Sequence, residues 1–430
     1  MQLYESYKPS GIQWVEKIPS HWGAERAKWL FNRMERPVRP EDDVVTAFRD
    51  GQVTLRTNRR TEGFTNAIQE HGYQGIRKGD LVIHAMDAFA GAIGVSDSDG
   101  KSTPVYAACV PRGEYPVNSF YYAYLLRYMA HSGYIESLSK GIRERSTDFR
   151  FAEFRELPLP IPNKDEQDRI VAFLDQKTAE IEATIEKKKR LIELLEEQKQ
   201  GLIDQAVTVG RAFCVPLQKT ETPGLSEVAA TWSMRKLKHV CQYQEGPGIM
   251  ASDFKESGVP LIRIAGVKGG QVSLEGCNFL SEQKVKRRWE HFRLNRGDLL
   301  ISGSASSGIV SEVTEIADGA VAYTGLFRII LDQGLLEKDF AKLYFVSSAF
   351  NEQMDLFKTG VGLQHFGPSH LSRAWIALPG LNEQKEIVEF VGERAACIDE
   401  LITATKKVIE SLRVGKTSLV ASVVLGQFKV

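Results

Sequence analysis

The residues in this chain best suited to chemistry are cationic, and they come in clusters. The segment SKGIRERSTDFR carries Lys140, Arg143, Arg145 and Arg150 beside Gly141 and Ser146. Guanidinium groups bond phosphate oxygens or pair bidentately with guanine, and a serine hydroxyl can reach a phosphate or a base edge. A second segment, KTGVGLQHFGPSHL, carries Lys358, Gln364 and His365 near Gly360 and Gly362. Glutamine suits the N6/N7 edge of adenine. Two further clusters are RTNRR, with Arg59 and Arg60, and KVKRR, with Lys286, Arg287 and Arg288. Any one of these charges alone reads as a solvated surface residue. The two loops, at matching places in the chain, favour contact with DNA.

Catalytic motifs are missing from the sequence. An amino-methyltransferase needs an Asn/Asp-Pro-Pro-aromatic motif for the amino group of its target base, and none occurs. VGKTS at Val414–Ser418 imitates the end of a phosphate-binding loop, but the required first glycine falls on Glu410, inside a helical pattern. SDSDG at Ser96–Gly100 lacks the remaining ligands of a calcium loop and reads as a turn. There is no H-E-x-x-H and no Cys/His cluster. The chain is therefore expected to hold no catalytic residue, no metal and no cofactor of its own. Its histidines have no nameable partner and read as structural.

The elements that must position the cationic loops belong to an ordinary globular composition. A chain of 430 residues is long enough for two or three domains. No run approaches the roughly 20 apolar residues of a membrane span. The start, MQLYESYKPSGIQW, has no basic and apolar export signal. Five scattered cysteines (Cys109, Cys214, Cys241, Cys277, Cys397) fit a reducing cytoplasm. With 55 basic and 55 acidic residues the net charge is zero, which argues weakly against non-specific coating of nucleic acid but leaves local basic surfaces open.

Half of the chain repeats the other half. PNKDEQDRIVAFLDQKTAEIEATIEKKKRLIELLE from Pro162 matches PGLNEQKEIVEFVGERAACIDELITATKKVIESLR from Pro379, with Glu166 and Glu383 standing 217 residues apart. KGDLVI at Lys78–Ile83 matches RGDLLI at Arg296–Ile301, and Trp22 is echoed by Trp232. The helical parts repeat closely while the globular parts diverge. Short runs such as DLVIHAM, PVYAACV, PLIRIAGV and GLFRIIL read as strands, and SFYYAYLLRYMAHSGYIESL and KDFAKLYFVSSAFNEQMDLF as helices. The expected fold is α+β, with globular domains at 1–158 and 211–377 and long helices at 159–210 and 378–430.

The apolar residues of the long helices step by threes and fours. The first seam is Ile170, Leu174, Ile181, Ile185, Ile192, Leu195, Leu202 and Ala206, and the second is Ile387, Val391, Ile398, Ile402, Ile409, Leu412, Leu419 and Val423. Pro160 and Pro162 end the preceding structure, and Asn163 or Asp165 can cap the first helix. Residues 164–206 would span about 65 Å at roughly 1.5 Å per residue. The matched seams are expected to pair antiparallel within the chain, giving a pseudo-twofold dumbbell, because their effective concentration is high. Homodimerisation through the same seams is the competing reading.

These motifs resemble one family. LPLPIPNKDEQDRIVAFLDQKTAEIEATIEKKKRLIELLEEQKQGLI looks like the central conserved region of the specificity subunits of type I restriction-modification systems. LPGLNEQKEIVEFVGERAACIDELITATKKVIESL resembles their distal conserved region, with VGERAACIDEL less typical, and SGIQWVEKIPSHW their N-terminal start. The resemblance implies two target recognition domains joined by conserved helices that set a spacing. It implies double-stranded DNA as ligand, an asymmetric bipartite target, and two methyltransferase subunits docked on the helices. Restriction complexes add two restriction/translocase subunits. S-adenosylmethionine, ATP and Mg would reside on those partners. The alternative from another class is a scaffold with duplicated protein-binding heads.

Overall fold

The computed structural model describes residues 2–59, 70–138, 148–211, 215–303, 309–357 and 366–430. Four helices carry the repeat: α1 (Ser119–His131), α2 (Lys164–Thr208), α3 (Lys338–Val346) and α4 (Leu381–Val424). The chain divides into two compact units, 1–188 with 406–430, and 189–405, so each long helix contributes to both.

The first unit is built on an antiparallel sheet ordered Phe31–Met34, Tyr106–Pro111, Leu81–His84, Ile93–Val95. Leu81 and Ile83 point into a core with Leu125 and Met129 of α1, while Val82 joins Val45, Val53 and Ala108 on the other face. A sheet covered on both faces needs apolar residues on both, which is why DLVIHAM runs unbroken instead of alternating.

The second unit repeats the device. Its main sheet is ordered Cys241–Glu245, Leu326–Leu331, Leu299–Ser302, Val310–Glu312, Gly270–Gln271, with the last pair parallel. Leu299 and Ile301 face the core that holds Phe340 and Tyr344 of α3, and Leu300 faces a second cluster with Val313 and Leu326. A smaller sheet, Phe254–Lys255, Asn278–Leu280, Val259–Ile262, Val321–Ala322, is backed by Val285 and Trp289. The α+β class expected from the sequence is the one observed.

Each long helix is fed by a short strand. Pro158–Ile161 pairs antiparallel with Gly23–Arg26 and leads into α2; Trp375–Leu378 pairs antiparallel with Ser233–Lys236 and leads into α4. Of the two possible caps, Asn163 takes the role: its Oδ1 accepts the Glu166 amide at 2.9 Å. A helix start has amides without intrahelical partners, and a short side-chain acceptor satisfies one of them.

The seams have two kinds of environment. Ile170 and Leu174 lie in the first globular core with Trp22, Leu419 and Val423; Ile387 and Val391 lie in the second with Trp232 and Leu202. Between these ends, helix packs on helix. In the second unit Leu195, Ile398 and Ile402 cluster with Ile192, and Lys199 Nζ reaches Asp399 Oδ2 at 2.7 Å. In the first unit Lys416 pairs with Glu182. Ile185 and Ile409 are buried, and Ile181 and Leu412 are half-buried. Within each unit the two helices run antiparallel. The seam is thus a helix pair in its middle and a three-way core at its ends. Truncating Ile170 or Leu174 to alanine is expected to cost about 2–5 kcal/mol, because both are fully enclosed.

Candidate nucleic-acid interface

The Glu-Gln pair that opens each long helix is a fastening. Glu166 is buried and accepts the Trp22 indole N–H at 3.0 Å, the Tyr4 hydroxyl at 2.5 Å and His21 Nε2 at 2.9 Å. Gln167 has no exposed surface. Its Nε2 donates to the carbonyls of Pro162 and Pro116, both at 2.9 Å, and its Oε1 accepts the Asn118 amide at 2.7 Å. Asn118 caps α1. One residue therefore holds the tryptophan segment and the other holds the start of α1, both against the start of α2.

The second unit makes the same fastening. Trp232 Nε1 donates to Glu383 Oε1 at 3.0 Å. Gln384 Nε2 donates to Pro379 and Leu335 carbonyls at 2.9 Å, and Gln384 Oε1 accepts the amide of Glu337, the cap of α3, at 2.7 Å. The ring contacts repeat too. Tyr121 meets Trp22 edge-on with centroids 6.5 Å apart, and Phe340 meets Trp232 edge-on at 6.4 Å. The sequence displays both Glu-Gln pairs and both tryptophans, but sequence reasoning did not join them. Their recurrence in the same order in both halves was the available signal.

The Gly-Asp-Leu turns position the strand that follows each of them. Gly79 and Gly297 have φ of +91° and +93°, a left-handed conformation that glycine takes without a Cβ clash. Asp80 accepts the Arg77 amide at 2.8 Å and a two-pronged Arg36 guanidinium. Asp298 accepts the Asn295 amide at 2.7 Å and Arg328 Nε. Each strand after this turn ends beside a buried phenylalanine that belongs to a candidate segment in the sequence. Phe149 donates its amide to Ala85 O at 3.1 Å, and Phe366 donates to Gly303 O at 3.0 Å; both rings are buried. So Phe149 and Phe366, one in each candidate segment, are held at the same place in their respective folds.

The candidate DNA-contacting residues fall into three groups. Arg60, Lys140, Arg143, Arg145, Ser146, Lys358, Gln364 and His365 lie outside the described residues. Arg59 and Arg150 are engaged internally: Arg59 bonds Asp50 at 2.7 Å and lies 4.3 Å from the Phe48 ring centre, and Arg150 bonds Asp148 at 2.6 Å. Lys286, Arg287 and Arg288 are exposed on one π-helical turn, Val285–Trp289. That turn is anchored by buried Val285 and Trp289, and Arg288 lies 5.7 Å from the Trp289 ring centre. Lys286 and Arg287 make no ion pair among the described residues. A π-helical turn is a rare, costly backbone form that recurs at functional sites.

Beside Asp148 and Arg150 a cavity of about 270 Å³ is lined by Arg33, Met86, Tyr106 and Phe151. Burial lowers the His84 pKa, partly opposed by Asp87, and its Nδ1 accepts the Asp87 amide at 3.0 Å. This histidine is structural. Among the described residues no group of His, Cys, Asp and Glu could hold a metal ion, and no helix is long and apolar enough to cross a membrane.

The family model described as the type I restriction modification DNA specificity domain matches residues 74–194 and 230–411, most of the chain. This chain belongs to the type I restriction-modification specificity subunits. The subunit is 26% identical over 304 residues to the type I restriction enzyme MjaVIII specificity subunit of Methanocaldococcus jannaschii, covering 69% of this chain and 68% of that one. It is 26% identical over 302 residues to the EcoKI specificity subunit of Escherichia coli K12, covering 68% and 62%. Among solved structures, a chain from a study of complex assembly and conformational transition of the type I system aligns with TM-score 0.69 at 17% identity, over 96% of this chain and 99% of that one. The HsdS subunit of Thermoanaerobacter tengcongensis aligns with TM-score 0.55 at 16% identity, over 97% and 100%. These structural likenesses concern the fold. The type I specificity subunit described here thus has its paired tryptophan–glutamate fastenings inside the matched regions of both halves, except for Trp22.

Proposed function

We propose that this specificity subunit reads an asymmetric bipartite sequence on double-stranded DNA, one block with each globular domain, and does no chemistry itself. The observation that carries the reading is the combination of matching mounts and different heads. Trp22, Glu166 and Gln167 repeat as Trp232, Glu383 and Gln384 with the same tryptophan–glutamate and glutamine–cap bonds, while the sheets they support differ in strand number. A duplicated mount with diverged heads is suited to two different half-sites. The long helices, 45 and 44 residues, are each about 65 Å long at roughly 1.5 Å per residue and are suited to setting the gap. Their exposed charged faces are the proposed platform for two methyltransferase subunits, and two restriction/translocase subunits would complete a restriction complex. S-adenosylmethionine, ATP and Mg would be carried by those partners.

The test is selection from randomised duplexes by the full chain together with its methyltransferase subunits. Enrichment of two short, different blocks at a fixed gap is the expected result. One contiguous block, or no enrichment, refutes the two-reader proposal. Methylation by the chain without partners refutes the non-catalytic one.

A further inference from the structure

The first unit contains a cavity of about 950 Å³ between α1, α2, α4 and the turn at Arg49–Gln52, and its lining is cationic. Arg49, Arg127, Arg413 and Lys416 face two carboxylates, Asp50 and Glu182. Three of these cations have acidic neighbours: Arg49 bonds Asp87 at 2.7 Å, Lys416 pairs with Glu182, and Arg413 lies 3.5 Å from Glu410. Asp50 is engaged by Arg59 at 2.7 Å. Arg127 makes no ion pair among the described residues; its Nε is buried without a hydrogen-bond partner, and burial lowers its pKa, opposed by Tyr124 and Asp50. Burial without an ion pair leaves this guanidinium charge to be balanced by an anion.

The fold does not require this lining. Asn118 and Glu337 are equivalent caps, and Tyr121 and Phe340 make equivalent contacts to tryptophan, so Arg127 corresponds to Val346, the last residue of α3. On the long helices the Glu182–Lys416 pair corresponds to Asp399–Lys199, which places Arg413 where the other copy has Glu196. The second unit packs Val346 against its apolar core. The first has exchanged a valine position and a glutamate position for two arginines. The turn is also fitted to the guanidinium. Gly51, at φ +90°, lies so close that a Cβ there would come 2.4 Å from Arg127 Nε.

We propose that this cavity binds a phosphate-bearing ligand of mononucleotide size, with Arg127 and Arg413 taking the phosphate. A guanidinium presents a planar fork of donors matched to phosphate oxygens, and the volume lies within the range of small-ligand sites. The phosphate could belong to a free nucleotide or to the backbone of bound DNA, and the chemistry of recognition is the same. The inference does not rest on the bipartite reading of the target.

The experiment is isothermal titration of the full chain with inorganic pyrophosphate and adenosine monophosphate, with adenosine as the neutral control. The variant Arg127→Val with Arg413→Glu installs the residues that the chain already tolerates at its other copy. Arg413→Glu alone serves if the double variant melts early by circular dichroism. Saturable binding of both phosphates, weakened at least tenfold in the variant and absent for adenosine, is the expected result for a free ligand. A weaker duplex affinity for the variant, with a shallower salt dependence, assigns the phosphate to DNA. Adenosine binding as well as its monophosphate overturns the proposal. So does the absence of phosphate binding together with duplex affinity equal to that of the parent chain.

Discussion

Glu166→Ala is expected to loosen the first fastening more than Glu383→Ala loosens the second. Glu166 accepts from two well-buried donors, the Trp22 indole and the Tyr4 hydroxyl, whereas Glu383 accepts only the Trp232 indole among the described residues. Burial, with the bond to Glu166, raises the Tyr4 pKa, so the hydroxyl stays protonated and donating across the physiological range. Leaving a buried donor unsatisfied costs about 1–3 kcal/mol. The first substitution should therefore cost roughly 2–6 kcal/mol and the second about 1–3 kcal/mol. His21, half exposed at its side chain, is left out of this sum because solvent can replace its partner. Amide hydrogen exchange is the suitable assay, since it reads opening locally and does not assume that the two units unfold together. The amides to follow are those around Trp22 and the start of α2, and those around Trp232 and the start of α4. An equal or larger loss for Glu383→Ala, or a change below about 0.5 kcal/mol at either site, would refute the account of these glutamates as buried acceptors.

Replacing Lys286, Arg287 and Arg288 by alanine should weaken DNA binding about equally for target and random duplexes. It should also flatten the logarithmic salt slope by up to about 3, because each cation that neutralises a phosphate accounts for about one unit of that slope. A change in the selected sequence alone would contradict a backbone role. Inserting four residues near Thr178, about 6 Å of helix, should lengthen the gap between the selected blocks and leave both blocks unchanged, as selection from randomised duplexes would show. Arg143→Ala with Arg145→Ala should alter readout or affinity at one block only; equal effects at both would count against separate readers. Glu312 gives a pH prediction. Burial alone would raise its pKa, but hydrogen bonds from Lys338 and Lys342 of α3 outweigh this and hold it below the usual range. A depressed carboxylate contributes stability that is present above about pH 4.3 and is lost as pH falls through its folded value. Glu312→Gln should therefore lower stability at neutral pH and reduce the loss on acidification, measured by thermal melts from pH 7 to pH 3.

The sequence alone determined the repeat, the long amphipathic helices and the α+β class, because periodicity and turn glycines are local properties of a chain. The spacing of Ile398 and Ile402 is legible without coordinates, and so is the turn at Gly297. Local pattern did not reveal that Ile170 and Ile387 would sink into globular cores while Leu195 and Ile398 pack helix to helix, since Ile170 shares one heptad stripe with Leu195 and Ile387 shares the matched stripe with Ile398. Nor could it show that Glu166 and Glu383 hold tryptophans lying 144 and 151 residues earlier. The cationic clusters were visible as composition, yet whether an arginine faces solvent or an acid depends on neighbours brought in by the fold. Arg59 and Arg150 found such acids and Arg287 did not. Tertiary structure decided these points because burial and pairing are set by what else occupies the space around a side chain, and its sequence neighbours supply only part of that.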